Sequence, residues 1–206
     1  MIGNDVVDLR DPETRPGAHH PRFDGRVFAP SERDLLERSG APNRLRWMLW
    51  AAKEAAYKVA RKIDPRTVFS PARFVVELDE TLRGFVQYAG AKLPLLLRED
   101  ATTVHAIASD RSLDEEHLVF AVEEVSAIGE TEASASRAAR ALAIDHLAPR
   151  LGTAARQLEI RRENRVPHLF VAGAEAPVDL SLSHHGELVA FACEVPHALA
   201  EERTFA

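Results

Sequence analysis

The pattern of apolar positions predicts one long helix in the first third of the chain. Residues 43–62 contain no glycine or proline and are rich in alanine, leucine, arginine and lysine, which are good helix formers. Apolar residues recur at alternating steps of four and three and mark one buried face: Leu45, Leu49, Ala52, Ala56, Val59 and Ile63. At about 100° per residue, Glu54 lies opposite that face, on the side that carries Trp47, Trp50, Lys58 and Arg61. Because a solvated face rarely carries two tryptophans, we expect both sides of this helix to be covered, the second one by the other half of the chain.

Shorter patterns predict the remaining elements. Before the long helix we expect a strand at 2–9, a surface loop at 11–26 and a short helix at 32–38 capped by Ser31. Runs rich in β-branched and aromatic residues predict strands at 74–76, 85–88, 102–108 and 118–122. A linker is predicted at 126–136 and a second helix at 137–151, followed by strands at 157–161, 168–171, 178–183 and 188–195.

This order of elements predicts an α+β protein made of two similar halves. Residues 1–125 form the first half and residues 126–206 the second. In each half we expect a long helix packed on a small, mostly antiparallel sheet.

Composition narrows the classes of function. The formal charge of −6 argues against a general nucleic-acid binder. No apolar run approaches the ~20 residues that span a bilayer, so we expect no membrane partner. The chain opens without a basic and apolar leader, and Cys193 is its only cysteine. Together these features favour the cytoplasm.

Two carboxylates and two lysines are the first candidates for chemistry. If the N-terminal strand lies beside the long helix, Asp5 and Glu54 could share a divalent ion such as Mg²⁺. Lys53 and Lys58 flank Glu54 and could hold a pyrophosphate and neutralise its charge. The structural alternatives are that Asp5 caps a turn, Glu54 pairs with Lys58 four residues on, and both lysines face water.

Two further candidates lie outside the long helix. In the segment Ser181-Leu-Ser183-His184-His185-Gly186, a histidine at a strand end beside hydroxyls can bind phosphate or form a Ser-His nucleophilic pair. No Gly-x-Ser-x-Gly elbow supports the second alternative. Glu32 falls in the first turn of the short helix, where interaction with the helix dipole is the default role.

Four motifs in this order resemble the 4′-phosphopantetheinyl transferase superfamily. They are Gly3-Asn-Asp5-Val-Val-Asp-Leu, Phe28-x-x-x-Glu32, Trp50-x-x-Lys53-Glu54-Ala-x-x-Lys58 and Ser181-Leu-Ser183-His184. The resemblance reaches from residue 2 to about residue 195, and the motif order is that of the holo-acyl-carrier-protein synthases. It implies Mg²⁺-dependent transfer of phosphopantetheine from coenzyme A to a serine of an acyl or peptidyl carrier protein, with adenosine 3′,5′-bisphosphate as the other product.

The resemblance also implies roles for single residues. Asp5 and Glu54 match the metal ligands, and Glu54 also matches a general base toward the carrier serine. Lys53 and Lys58 match lysines near the coenzyme A phosphates, and Lys58 is counted with the catalytic groups. Ser183 and His184 match the pair that contacts the nucleotide and its 3′-phosphate. Glu32 matches an acid near the metal, which is a third candidate for the catalytic set.

The chain differs from the long enzymes of this family in three ways that affect the expected site. The long, monomeric, two-half enzymes place the Ser-His segment before the Gly-x-Asp segment, whereas here it follows. They carry a second acid where this chain has Val7, while Asp8 comes one residue later, so we favour a metal site of two carboxylates. Their Gly-Lys-Pro segment is replaced by Arg165-Val-Pro167, in which Arg165 could supply the cation. This replacement leaves two alternatives open: a non-catalytic coenzyme A or carrier-protein binding module, and a protein with a purely structural or interaction role.

Overall fold

The computed structural model describes residues 1–125 and 132–196 of the 206-residue chain. The predicted linker at 126–136 lies partly outside the described residues, and helix structure begins at residue 132. Within the described part, no helix is both long and apolar enough to cross a membrane.

The first part of the chain builds a five-stranded antiparallel sheet. Its strands are β1 (Ile2–Asp8), β2 (Val75–Leu78), β3 (Arg83–Tyr88), β4 (Ala91–Glu99) and β5 (Thr103–Ser109), in the order β1-β5-β4-β3-β2. Three helices lie between β1 and β2: α1 (Phe23–Val27), α2 (Pro30–Arg38) and α3 (Pro42–Ile63). Helix α3 packs across β1 and β5 and its apolar side chains fill the core of this part.

The second part has one long helix and two three-stranded antiparallel sheets. Its elements are β6 (Leu118–Glu124), α4 (Glu132–Arg150), β7 (Leu158–Glu163), β8 (Val166–Val171), β9 (Ala174–Glu175), β10 (Asp179–His185) and β11 (Leu188–Glu194). The sheet orders are β10-β11-β6 and β7-β8-β9. Helix α4 covers the sheet of β6, β10 and β11 and shares a second apolar core with it. The protein is therefore α+β with antiparallel sheets, as the sequence predicts.

The pairing of β6 with β11 bears on the expected division into two halves. Leu118 pairs with Glu194, and Glu124 pairs with Leu188. Every antiparallel ladder has local twofold symmetry, so this pairing is compatible with two similar halves without showing them. Because β6 precedes residue 125 yet completes a sheet with later strands, the division at that residue stays a prediction.

Helix α3 runs one residue beyond its predicted range at each end, and it is covered on both sides. The cover over the tryptophan face comes from the first part of the chain, not from the second part as expected. The indole N–H of Trp47 donates to the carbonyl of Thr14 at 2.8 Å, and Phe23 and Phe69 contact Trp50. The predicted core residue Ile63 is 57% exposed, because the helix ends there.

Several local predictions need correction. The predicted loop at 11–26 contains a 3₁₀ turn at Pro12–Thr14 and the start of α1. Ser31 does not cap α2, because Pro30 takes the first helical position that proline favours. Strand β4 was not predicted, and it contains Pro94. Proline is tolerated there because β4 pairs only with β3 at that point, and its ladder with β5 begins at Leu95.

Candidate active site

Gly3 allows β1 to lie directly against α3. A Cβ atom at this position would overlap the carbonyl oxygen of Ala55 and would lie 3.1 Å from the Cβ of Lys58. Any larger residue would therefore push the strand away from the helix. The absence of a side chain at Gly3 is what brings Asp5 into contact with the polar residues of α3.

Asp5, Glu54 and Lys58 form a charged cluster at this contact. The ammonium group of Lys58 lies 3.0 Å from Oδ1 of Asp5 and donates to the carbonyl of Asn4 at 2.7 Å. Burial raises the pKa of Asp5, and the charge of Lys58 opposes that shift. Burial, reinforced by the negative charge of Asp5, raises the pKa of Glu54 to about 7. Two carboxylates thus lie close enough to repel each other in a partly dehydrated site with one lysine.

This pair fits a hard divalent cation. Both candidate ligands are carboxylates, and Mg²⁺ typically takes one or two protein carboxylates and completes its shell with water and substrate phosphate. A bound cation would also relieve the repulsion between Asp5 and Glu54. Two other acids considered for this shell are engaged elsewhere. Asp8 accepts hydrogen bonds from the side chain and backbone of Arg10, and Glu32 is paired with Lys53.

Lys53 and Glu32 form a fully buried ion pair inside the first part of the chain. The ammonium group lies 2.7 Å from both carboxylate oxygens and also donates to the carbonyls of Pro71 and Phe74. All three donors of the lysine therefore have protein partners. Burial lowers the pKa of Lys53, and the charge of Glu32 opposes that shift. This placement disagrees with the expected contact to coenzyme A phosphates, and it favours a structural role for both residues.

Strands β1 and β10 lie side by side although they belong to different sheets. The backbone N–H groups of β1 donate to side chains of β10, namely Ile2 to Asp179, Asn4 to Ser181 and Asp8 to Nδ1 of His185. We call this contact the β1–β10 seam. Ser183 is part of it, because its Oγ accepts from the side-chain amide of Asn4 at 2.9 Å. Ser183 is also buried, so its hydroxyl faces β1.

His184 lies on a basic cavity of about 120 Å³. The cavity is formed by α4, the β7–β8 hairpin and β10, and its lining residues are Ser136, Ala139, Arg140, Arg162, Arg165, Pro167, Leu182 and His184. Three arginines and a histidine thus meet there, and this lining includes no carboxylate. The cavity brings together the sequence-predicted Arg165 and His184, and its charge suits an anion such as a phosphate.

His184 also connects the cavity to the carboxylate cluster. An electrostatic interaction with His184 acts to lower the pKa of Asp5, against the larger effect of burial. The cavity residues and the β1–α3 carboxylates therefore belong to one electrostatic neighbourhood.

A second group of possible metal ligands lies at the end of the seam. Carboxylate oxygens of Asp11 and Glu13 and a ring nitrogen of His185 all lie within 4.8 Å of one another. However, Nδ1 of His185 accepts the N–H of Asp8 at 3.2 Å. In the neutral ring the proton is then on Nε2, and no lone pair remains for a metal. This group suits a metal less well than Asp5 and Glu54 do.

Sequence reasoning missed several residues of this neighbourhood. Asn4 lies inside a motif that was noted for its glycine and aspartate only. Arg162 could have been found from the hairpin register, since it pairs with Pro167 across β7 and β8. Nothing in the sequence predicts that Arg140 lines a cavity, because an arginine on an alanine-rich helix usually faces water.

One comparison with known proteins shows the family of this chain. The model of the 4′-phosphopantetheinyl transferase superfamily matches residues 1–122, which is more than half of the chain. Among solved structures, holo-[acyl-carrier-protein] synthase of Thermotoga maritima matches with a TM-score of 0.32 and 13% sequence identity, over 84% of this chain and 83% of the other. No curated protein matches the chain. The family match includes the Gly3-Asn-Asp5 strand and the Lys53-Glu54 helix, and the chain belongs to the 4′-phosphopantetheinyl transferase superfamily.

Proposed function

We propose that the protein transfers 4′-phosphopantetheine from coenzyme A to a serine of an apo acyl or peptidyl carrier protein, in a Mg²⁺-dependent reaction. The observation that carries this proposal is the placement of His184, which lines a basic cavity and also lies within electrostatic range of Asp5. Coenzyme A has a 3′-phosphate on its ribose and a diphosphate farther along. A basic cavity next to a carboxylate pair provides one site for each.

The reaction needs no nucleophile from the enzyme. The serine oxygen of the carrier attacks the phosphorus that bears the pantetheine arm, and the bond between this phosphorus and the bridging oxygen breaks. Adenosine 3′,5′-bisphosphate leaves with the bridging oxygen. Positioning, charge neutralisation and proton removal are then the contributions of the protein.

Residues of β1 and α3 would hold the diphosphate end. Asp5 and Glu54 would bind Mg²⁺, which supplies neutralisation of charge on the diphosphate when it is bound. The ammonium group of Lys58, already within 3.0 Å of Asp5, would hold a phosphate oxygen. Glu54 would take the proton of the serine hydroxyl, because a bound cation would keep its carboxylate in the ionised form that a general base needs.

Residues of the cavity would hold the nucleotide end. Arg140, Arg162, Arg165 and His184 would surround the 3′-phosphate, to which arginine can donate two parallel hydrogen bonds. Arg165 takes the place of the lysine expected from the family pattern. Both ends of coenzyme A are then bound by one chain, which supports a monomeric enzyme. We place this activity in the cytoplasm on the strength of the single buried Cys193.

Mass spectrometry of candidate carriers tests the proposal directly. A panel of apo carriers from fatty-acid, polyketide and peptide synthesis is incubated with the protein, coenzyme A and Mg²⁺. We expect at least one carrier to gain the mass of phosphopantetheine at its serine and adenosine 3′,5′-bisphosphate to appear in equal amount. Binding of coenzyme A without transfer to any carrier would contradict the proposal and favour a non-catalytic binding module.

Kinetics with coenzyme A and with 3′-dephospho-coenzyme A test whether the cavity binds the 3′-phosphate. Arg140→Ala should raise the KM for coenzyme A and leave the KM for the dephospho analogue unchanged. Arg156→Ala is the matched control, because this arginine is exposed on the same part of the chain and does not line the cavity. An equal effect of Arg140→Ala on both substrates would place the 3′-phosphate elsewhere.

A further inference from the structure

Asn4 has an unusual position for a polar residue, since it is fully buried in the middle of β1. Its backbone N–H donates to Oγ of Ser181 at 2.9 Å, and its carbonyl accepts from Lys58 at 2.7 Å. Its side-chain amide donates to Oγ of Ser183 at 2.9 Å and lies 3.1 Å from Nε2 of His105. One residue therefore contacts α3, β5 and β10.

One polar atom of the Asn4 side chain has no hydrogen-bond partner among the described residues. Oδ1 of Asn4 and Nδ1 of His105 are buried without a hydrogen-bond partner among the described residues. If the amide is rotated by half a turn, Oδ1 accepts from Ser183 and His105 and the nitrogen is left over instead. In both orientations one amide atom is unpaired, which costs free energy. An apolar residue at position 4 would remove this atom but would leave Oγ of Ser183 and Nε2 of His105 without their partner, so the amide links these two buried groups.

The hydrogen bond from Asn4 to Ser183 joins the neighbours of two site residues. On β1, Asn4 directly precedes Asp5, and on β10, Ser183 directly precedes His184. The two strands belong to different sheets, so their relative position depends on side-chain contacts rather than on a backbone ladder. Asn4 is the central residue of the seam and the one whose side chain crosses it in the direction of β10.

We propose that Asn4 is a positioning residue whose carboxamide holds Ser183, and through it β10, at the separation from β1 at which His184 and Asp5 face the same molecule of coenzyme A. The inference rests on the proposed function, because it assigns Asn4 to the coenzyme A site. Asn4 itself does not touch the reacting atoms. Its loss should therefore weaken substrate binding more than it slows the chemical step.

Steady-state kinetics of three variants test this role. Asn4→Leu keeps the branched shape of the side chain and removes its polar atoms, and Ser183→Ala removes the other partner of the same hydrogen bond. Each should raise the KM for coenzyme A about tenfold, the factor expected for one lost hydrogen bond, and leave kcat within about threefold. The double variant should be no worse than either single one. Multiplication of the two effects, to about a hundredfold, would show that Asn4 does not act through Ser183 and would overturn the inference.

Hydrogen exchange provides a readout that needs no substrate. In Asn4→Leu and Ser183→Ala, the amides of residues 179–185 should exchange faster, while those of β3 and β4 should be unchanged. Val86→Ala is the control for general destabilisation, because this fully buried valine lies on β3. It should lower stability without raising the KM or loosening β10.

The two hypotheses fail in different ways. A wild-type protein that neither binds coenzyme A nor modifies a carrier would contradict the proposed function, while exchange at β10 would still report on Asn4. Unchanged exchange at β10 together with an unchanged KM in a functional enzyme would overturn the role of Asn4 alone. Should Asn4→Leu fail to fold, Ser183→Ala tests the same hydrogen bond from the other side.

Discussion

Lys53 and Glu32 form a completely buried ion pair, with the ammonium nitrogen 2.7 Å from each carboxylate oxygen. The carboxylate also accepts the backbone N–H groups of Ala29 at 2.7 Å and Val76 at 2.8 Å. The pair therefore connects α3 to the start of α2 and to β2. Glu54 and Lys58 on the same helix belong to the candidate site, so one short sequence contains both a buried structural pair and candidate site residues.

Removal of one member of this pair should strongly destabilise the fold. Lys53→Met leaves the Glu32 carboxylate buried without its counter-charge, and breaking a buried pair in this way costs about 3–5 kcal/mol. Urea unfolding followed by circular dichroism measures the loss. Arg66→Ala is the control, because Arg66 pairs with Asp64 at the surface with its side chain 91% exposed, and such pairs contribute about 0–1 kcal/mol. A Lys53→Met protein of normal stability that fails to bind coenzyme A would restore the phosphate-binding role of Lys53.

The β7–β8 turn gives a prediction in which stability and function change in opposite directions. Asn164 and Arg165 have φ angles of 49° and 71°, the left-handed pair typical of a tight hairpin turn in which glycine is preferred at the second position. Arg165 nevertheless takes that position and lines the basic cavity. Arg165→Gly should raise the free energy of unfolding by about 1 kcal/mol and also raise the KM for coenzyme A.

A matched variant separates these two effects. Ala172 has a φ angle of 49° in the turn after β8 and does not line the cavity. Ala172→Gly should therefore stabilise the protein by a similar amount without changing the KM. If Arg165→Gly stabilises the protein and leaves coenzyme A binding intact, then the strain at this arginine has no part in substrate binding.

The long helix could be predicted from the sequence, and the reasons are local. A run of helix formers with a clear apolar stripe predicts α3, and the sequence analysis considered Asp5 and Glu54 as a pair on the condition that β1 lies beside that helix. The structure meets that condition, because Gly3 lets β1 lie directly against α3. Strand β10 was predicted for a local reason as well, because its polar and apolar residues alternate.

The residues that could not be predicted depend on contacts between distant segments. Lys53 is adjacent to Glu54 in sequence, and only the packing of α2 and β2 against α3 shows that it faces the interior. The cavity requires α4 and the β7–β8 hairpin to meet beside β10, so the position of Arg140 at the cavity could not be predicted from the sequence. Asn4 became notable only once Ser183 and His105 were seen on either side of it.

Magnesium binding can distinguish the two carboxylate groups near the seam. Mg²⁺ should raise the melting temperature of the wild-type protein by about 3–5 °C at a concentration roughly tenfold above its Kd, since a ligand that binds only the native state stabilises it. Glu54→Gln should remove most of this shift and abolish transfer, while the repulsion with Asp5 disappears and the fold is retained.

Glu13→Gln is the control for the magnesium experiment, because Glu13 belongs to the separate group with Asp11 and His185. This variant should retain both the thermal shift and the transfer activity. Loss of the shift in Glu13→Gln, with a normal shift in Glu54→Gln, would place the cation at the end of the seam and contradict the two-carboxylate site.

The buried His105 predicts how the stability of the fold depends on pH. Burial lowers its pKa to about 3, helped by the positive charge of Lys58. Between pH 6.5 and pH 3 the unfolded chain binds a proton at this residue that the folded protein does not bind, so stability is present above pH 6.5 and is lost as the pH falls. From pH 7 to pH 5 the free energy of unfolding of the wild-type protein should fall by about 2 kcal/mol more than that of His105→Phe, which has no group to protonate.

Urea unfolding at the two pH values measures the difference. His20→Phe is the control, because His20 is exposed and its replacement should leave the difference between the two pH values as in the wild type. Equal slopes in wild type and His105→Phe would mean that His105 is protonated in the folded state, and the neutral network of Asn4 and Ser183 would then need a different arrangement of hydrogens.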